Sequence, residues 1–266
     1  MAGMIDVAVV DNDRMLLEGL GRWLDGVEGV DGVDDVRLVA KATTVDELLG
    51  MGVHADVVLL DLLLGDHSVP LDNLARLIEA GHRVLVVSVS SNAPRIAATF
   101  AAGARGYLTK DHDLVELAAA VREINSVGVS FSPELAFACL RDPRPGSPSL
   151  TEREREVLSG FGSGMRLAAV ARHIGEPPET VRSYVEHIAA KYHQTSTPAD
   201  GLGALTIRER EIAWLVTEGM TNGQIARRLG VTAKTVEKHL GSTMSKLGVP
   251  SRAAVACLIG QAGWTA

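Results

Sequence analysis

Residues Leu150 to His193 align without a gap on Leu205 to Gly248, and 14 of the 44 paired positions are identical. The shared residues run from Leu-Thr-x-Arg-Glu-Arg-Glu, through Gly-Met and Ala-Arg, to Thr-Val and a closing Lys. An ungapped repeat of this length predicts two copies of one small helical module. Both copies open on a capping box, Thr151 with Glu154 and Thr206 with Glu209, which marks a helix start in each.

The second copy carries the clearer chemistry. Helices are predicted over Glu209–Glu218, Asn222–Leu229 and Ala233–Leu247. Gly230 breaks the chain between the last two, as a helix–turn–helix requires. Thr232 caps the third helix, Val231 and Val236 have hydrophobic-staple spacing, and Lys234, Lys238 and Lys246 recur along it beside His239. A capped helix with cations along one face suits the major groove of double-stranded DNA, its N-terminus near phosphates. The competing reading is a solvated basic face. The first copy departs at these positions: Glu176, Pro177, Glu179, Ser183 and Tyr184 stand where the second has Val231, Thr232, Lys234, Lys238 and His239. It carries 6 bases against 6 acids, which predicts weak phosphate binding. Two readings stay open for it: a module retired from base reading, or auxiliary DNA contact through Arg166, Arg172 and Arg182. Gly160-Phe161-Gly162-Ser163-Gly164 lacks the residues of a phosphate loop and is expected to be a flexible turn.

Ahead of the repeat, short apolar runs alternate with amphipathic ones. Strands are predicted at Met4–Val10, Val36–Ala40, Val57–Leu60, Val84–Val87 and Gly106–Leu108. Helices are predicted at Met15–Leu24, Val45–Leu49, Leu71–Ala80, Pro94–Ala102 and Leu114–Ile124. This alternation predicts an α/β fold, a doubly wound, flavodoxin-like five-stranded parallel sheet, followed by two all-α helix–turn–helix modules. Ligands of such sheets sit at the carboxyl ends of the strands. There the sequence places Asp11-Asn12-Asp13, Asp61 and Ser88, with Lys110 after the fifth strand. Clustered carboxylates repel unless a cation joins them, so a divalent metal, Mg²⁺, is the expected cofactor. Asp61 then reads as a nucleophile for a phosphoryl group, with Lys110 able to pair the added anion.

Val-Asp-Asn-Asp-Arg-Met-Leu-Leu-Glu-Gly-Leu (10–20), Asp-Val-Val-Leu-Leu-Asp-Leu (56–62) and Gly-Ala-Arg-Gly-Tyr-Leu-Thr-Lys (103–110) resemble a response-regulator receiver. The resemblance implies that Asp61 accepts phosphate from a sensor histidine kinase and that Ser88, Tyr107 and Lys110 form the switch. It implies a metal held by Asp11, Asp61 and the carbonyl of Leu63, with Asn12 where the family usually has a second acid. Leu64-Gly65 replaces the usual Met-Pro. Leu-Thr-x-Arg-Glu-Arg-Glu (205–211), Gly-Met-Thr-Asn-Gly-Gln-Ile-Ala (219–226), Thr-Val-Glu-Lys-His-Leu (235–240) and Lys-Leu-Gly-Val-Pro-Ser-Arg (246–252) resemble the LuxR-type DNA-binding domain of NarL/FixJ-type regulators. That resemblance implies DNA contact through Thr232, Lys234, Thr235, Lys238, His239 and Lys246. It also implies pairing of two copies through a fourth helix, Arg252–Gln261, with apolar positions Ala253, Val255, Ala256, Leu258 and Ile259.

Four segments are expected: a receiver (1–126), a linker with a short helix (127–149), a divergent helix–turn–helix (150–200) and a DNA-binding helix–turn–helix (203–266). Within the linker, Glu134–Leu140 reads as a helix and the proline-rich 141–149 as an extended connector. Charge follows this division. The first 140 residues hold 21 acids against 10 bases, and the remainder holds 12 acids against 16 bases. Only the tail is suited to meet phosphates, and in a resting chain the acidic receiver is expected to cover the Lys234–Lys238 face. Two distant cysteines, no signal-peptide pattern and no apolar run of membrane-spanning length predict a cytoplasmic protein without a membrane partner. The expected function is transcription regulation by a homodimer, not enzymatic, since Leu63 occupies the place of a phosphatase's second aspartate. The alternative is a phosphorylation-independent regulator or an adaptor that binds proteins through the first copy.

Overall fold

Apolar side chains alternate along Ile5–Val10, so Val7 and Val9 go to one face of the first strand and Ala8 and Val10 to the other, and all four are buried. A strand buried on both faces belongs inside a parallel sheet covered by helices. The computed structural model describes residues 4–24, 35–66, 68–142, 144, 147–194 and 205–261. Five parallel strands, β1 (Ile5–Val10), β2 (Val36–Ala42), β3 (Val57–Leu60), β4 (Val84–Ser88) and β5 (Gly106–Thr109), lie in the order β2-β1-β3-β4-β5. Helices α1 (Arg14–Leu24) and α5 (Leu114–Val127) cover one face through Leu17, Leu20, Leu117 and Ile124. Helices α2 (Val45–Gly50), α3 (Pro70–Glu79) and α4 (Ala93–Ala101) cover the other through Leu48, Leu74, Leu77 and Phe100. Among the described residues no helix is long and apolar enough to cross a membrane.

The connector is where the fold departs most from expectation. Helix α6 (Pro133–Leu140) is capped by Ser132 and packs Leu135, Ala136 and Cys139, all buried, against α4. Helices α7 (Glu152–Gly162), α8 (Leu167–Ile174) and α9 (Pro178–Gln194) continue the same core without a break. Phe131 stands edge-on to Phe100 at 5.3 Å and stacks on Phe161 at 5.9 Å, while Phe100 also meets Tyr192 at 5.5 Å. The Tyr192 hydroxyl donates to the carbonyl of Cys139 at 2.8 Å. The helix expected at Glu134–Leu140 is present, and what departs from a spacer is its burial, because α6 packs between α4 and α7. The glycine run is not a flexible turn either. Gly160 to Gly162 form the last turn of α7, where a Cβ on Gly160 would come within 2.9 Å of Val170. The turn begins only at Ser163 and Gly164, the latter at φ 79°.

Helices α10 (Ile207–Thr217), α11 (Asn222–Arg228), α12 (Ala233–Leu247) and α13 (Arg252–Gln261) enclose a second core of Ile212, Leu215, Ile225, Val236 and Leu240. Val255 and Ile259 of α13 belong to that core and are fully buried. They are therefore taken from the set expected to pair two copies, which leaves Ala253 and Leu258 exposed and Ala256 half-buried. His67, read from the sequence as an exposed loop histidine, and Trp264, read as an exposed tryptophan, fall outside the described residues.

Candidate phosphoryl site and nucleic-acid interface

Parallel pairing of Val10 with Leu60 places the residues that follow, Asp11 and Asp61, side by side at the carboxyl edge of the sheet. Both are buried, at 2% and 5% exposure. Lys110, immediately after β5, reaches over and bridges them, its Nζ 2.7 Å from Asp11 Oδ2 and 2.8 Å from Asp61 Oδ2. Burial pushes the Asp11 carboxyl above its usual range. The neighbouring Asp61 adds to this, against hydrogen bonds from Lys110 and the Asp13 backbone N–H. For Lys110, burial disfavours the ammonium, yet the two carboxylates outweigh it and hold the proton more tightly than in a free lysine. Two carboxylates facing one ammonium leave the cluster under-compensated by one negative charge, a donor set that fits a divalent cation. Asn12 is exposed at the rim. The backbone N–H of Leu63 donates to Asp61 Oδ1 at 3.1 Å.

The remaining receiver residues gather on the same edge. Ser88 is fully buried and its hydroxyl accepts from the Ser90 backbone N–H at 3.4 Å. Tyr107 points inward at 1% exposure, and its hydroxyl donates to the Ser90 carbonyl at 2.8 Å. Ser90 thus ties both to the β4–α4 loop. The next residue of this network escapes a reading of the sequence. Arg95, in the first turn of α4, is buried and forms an ion pair with Glu218 at the end of α10. An arginine on an amphipathic helix carries no signal of burial, and its partner lies 123 residues away.

In the C-terminal module, Thr232 caps α12 by accepting from the Thr235 N–H at 3.1 Å. Lys234 and Lys238 are exposed, with Thr235 and His239 half-buried beside them. Lys246 does not share this free face: its Nζ donates to Glu209 Oε2 at 2.6 Å. The same bond joins Lys191 to Glu154 at 2.6 Å in the first copy, so each capping box is locked by a lysine from the long helix of its own module. Nor does the receiver cover the Lys234–Lys238 face. It is approached instead by α10 and α13, because Arg210 pairs with Asp72 at 3.3 Å and α13 touches α4. The charge asymmetry is thereby satisfied at Arg210 and leaves Lys234 and Lys238 in solvent.

The Glu209 lock predicts an acid-labile module. Burial opposes its ionisation, but bonds from Lys246, Ser242 and Thr206 outweigh it and draw the carboxyl down to about 2. A depressed carboxyl stabilises the fold fully above its unfolded value near 4.5 and loses that contribution as pH falls towards 2. Lys246 is 34% exposed, so the discounted effect is on the order of 1–2 kcal/mol. Urea midpoints of wild type and Glu209→Gln should differ above pH 5 and converge near pH 2. A constant difference over that range would show that the carboxylate is not responsible.

The response regulator receiver domain family matches residues 7–122. The bacterial regulatory proteins of the luxR family match residues 203–259. The transcriptional regulatory protein UhpA of Salmonella typhimurium is 31% identical over 195 residues, covering 71% of this chain and 91% of UhpA. This chain is a LuxR-type response regulator. The uncharacterized transcriptional regulatory protein YvfU of Bacillus subtilis is similar as well, 30% identical over 192 residues, with 71% of this chain and 90% of YvfU covered. Among solved structures, response regulator ChrA of a heme-sensing two-component system aligns over 97% of this chain and 98% of its own at 25% identity, with a TM-score of 0.40. The regulator's class, two-component transcription regulation with a receiver and a LuxR-type helix–turn–helix, follows from the two family matches and from UhpA.

Proposed function

We propose that this response regulator takes a phosphoryl group on Asp61 from a sensor histidine kinase and, in that state, binds double-stranded DNA as a homodimer through α12. The observation that carries the receiver half is the Lys110 bridge between two buried carboxylates. An Asp61 carboxylate oxygen attacks phosphorus, the bond from phosphorus to the donor atom breaks, and the leaving group departs with the electron pair. Asp11, Asp61, the Asn12 amide and the Leu63 carbonyl would hold Mg²⁺, which supplies charge neutralisation for the transferring group. Lys110 is positioned to move from the carboxylates to a phosphoryl oxygen. Ser88 and Tyr107 would then follow the new anion, both through the loop at Ser90. The work is that of a cytoplasmic switch, not of an enzyme.

For the first copy the best-supported role is a duplicated helix–turn–helix turned structural. It repeats the capping box, the lysine lock and the left-handed glycine turns of the second, with Gly164 and Gly175 matching Gly219 and Gly230. The matches to UhpA and YvfU have the length of a receiver and one module, not two. Its α9 brings Tyr192 into the receiver core, and Glu179 and Ser183 replace the second copy's lysines. The four segments 1–126, 127–149, 150–200 and 203–266 remain useful as sequence units, with α6 and α9 acting as a brace on α4.

The DNA half is tested by charge reversal. Lys234→Glu combined with Lys238→Glu in the full chain should lower affinity for duplex DNA about 100-fold at 0.1 M salt and reduce the salt slope by about 2. Arg172→Glu with Arg182→Glu in the first copy should change neither. Equal losses from both pairs would mean that both copies touch DNA.

A further inference from the structure

The first copy meets the receiver across a cleft of about 530 Å³, walled by α5 on one side and by the turn between α7 and α8 on the other. Small-molecule sites span roughly 300–1,000 Å³. One wall is aromatic, since Phe131 and Phe161 line the cleft and stack at 5.9 Å. Glu123 of α5 and Arg166 at the start of α8 also line it. Each feels the other's charge, yet among the described residues no ion pair or hydrogen bond joins them. Glu123 accepts from the Ser130 hydroxyl at 2.6 Å. Burial pushes its carboxyl above the usual range, and neither the Ser130 bond nor the Arg166 charge offsets that. His112, which borders the same cleft, is already engaged. Its ring bonds Glu116 at 2.6 Å and Glu134 at 3.1 Å, so those two carboxylates have a partner and Glu123 is left facing the cleft without a cation.

The two copies differ in the residues that build this cleft. In the second, Thr221 caps α11 in a capping box with Gln224. Arg166 and Ala169 stand at the equivalent places in the first, and α8 starts without a side-chain cap. Phe161 stands where the second copy has Val216. A module kept only for packing gains nothing from an open helix start, whereas an open start beside a guanidinium attracts a carboxylate. We propose that the cleft binds a small zwitterion with an apolar side chain, of the amino-acid class. Its ammonium lies on Glu123, its carboxylate on Arg166 and the α8 N-terminus, and its side chain against Phe131 and Phe161. A lone anion would leave Glu123 unmatched, and a lone cation would leave Arg166 and the helix start unmatched. Asp61 takes no part in this site. Because α5 belongs to the receiver and α8 to the first copy, a ligand held by both ties the two together and stabilises their contact. The first copy thereby becomes a sensor of a small metabolite as well as a brace.

Equilibrium dialysis of the full chain tests this with free L-phenylalanine as the probe, against two analogues that keep the ring and one charge each, phenethylamine and 3-phenylpropionate. Phenylalanine should bind at least tenfold more tightly than either, the share of one charge-assisted hydrogen bond. Glu123→Gln, which can still accept from Ser130, and Arg166→Gln, at an exposed position, should each weaken phenylalanine at least tenfold. Glu123→Gln should leave phenylpropionate no weaker, and Arg166→Gln should leave phenethylamine no weaker. Either analogue binding as tightly as phenylalanine would overturn the zwitterion. No binding at millimolar phenylalanine, or binding that both variants leave unchanged, would overturn the site. Amide hydrogen exchange on wild type needs no variant. Phenylalanine should slow exchange at Leu167 and Ala168 severalfold and leave α12 as it was. Unslowed exchange at Leu167 and Ala168 with phenylalanine bound would place the ligand elsewhere and sink the assignment.

Discussion

Asp61→Asn should abolish labelling of the chain by a small phosphodonor such as acetyl phosphate, a complete loss rather than a partial one. Asp61 and Asp11 are both buried at the strand ends and both bonded by Lys110, and Asp61 is the one proposed to accept the phosphoryl group. An amide at 61 has no anionic oxygen to attack phosphorus. The metal dependence should be unusual. Asn12 contributes an oxygen without charge, so labelling should require high Mg²⁺. Asn12→Asp should lower the Mg²⁺ needed on the order of tenfold, equivalent to about 1.4 kcal/mol of added attraction. Quantifying labelled protein against Mg²⁺ concentration checks both statements. Labelling of Asp61→Asn at the wild-type level would move the phosphoacceptor elsewhere, and saturation of wild type at low metal would remove the role given to Asn12.

The second large effect concerns stability. Tyr192→Ala should cost about 3–5 kcal/mol, the range for truncating a large aromatic in a core, because its ring is 1% exposed against Phe100 and its hydroxyl is bonded to the Cys139 carbonyl. Tyr192→Phe should cost only about 1 kcal/mol, the share of one hydrogen bond. The distinctive outcome is where the loss falls. Tyr192 lies in the first helix–turn–helix, yet Phe100 is in the receiver and Cys139 in the connector. All three should therefore unfold in one transition, with the C-terminal module separate. Denaturation followed by far-UV circular dichroism, together with hydrogen exchange of β4 and β5, would report it. If β4 and β5 keep wild-type protection in Tyr192→Ala, the brace is not part of the receiver's cooperative unit.

Local rules carried much of this architecture. Alternation placed five strands within one or two residues of where they lie. Capping boxes marked the starts of α7 and α10, and Thr232 that of α12. Asp11, Asp61 and Lys110 were legible because strand ends in a parallel sheet converge whatever the intervening sequence does. Contacts between segments were not legible. Lys246 reads as one more cation on a helix, and only the fold brings it to Glu209, 37 residues back. Phe131 reads as spacer and Tyr192 carries no signal of its own, yet they meet over Phe100. The exposed positions of α12 are a property of its own periodicity, and the sequence alone determined them along with the strand-end chemistry. Which surface of the C-terminal module faces the receiver depends on matching two shapes and two sets of charges, and no single segment contains that information. The tertiary structure alone therefore decided that Leu63 meets the Trp214 face, that Arg95 meets Glu218, and that the receiver leaves Lys234 and Lys238 uncovered.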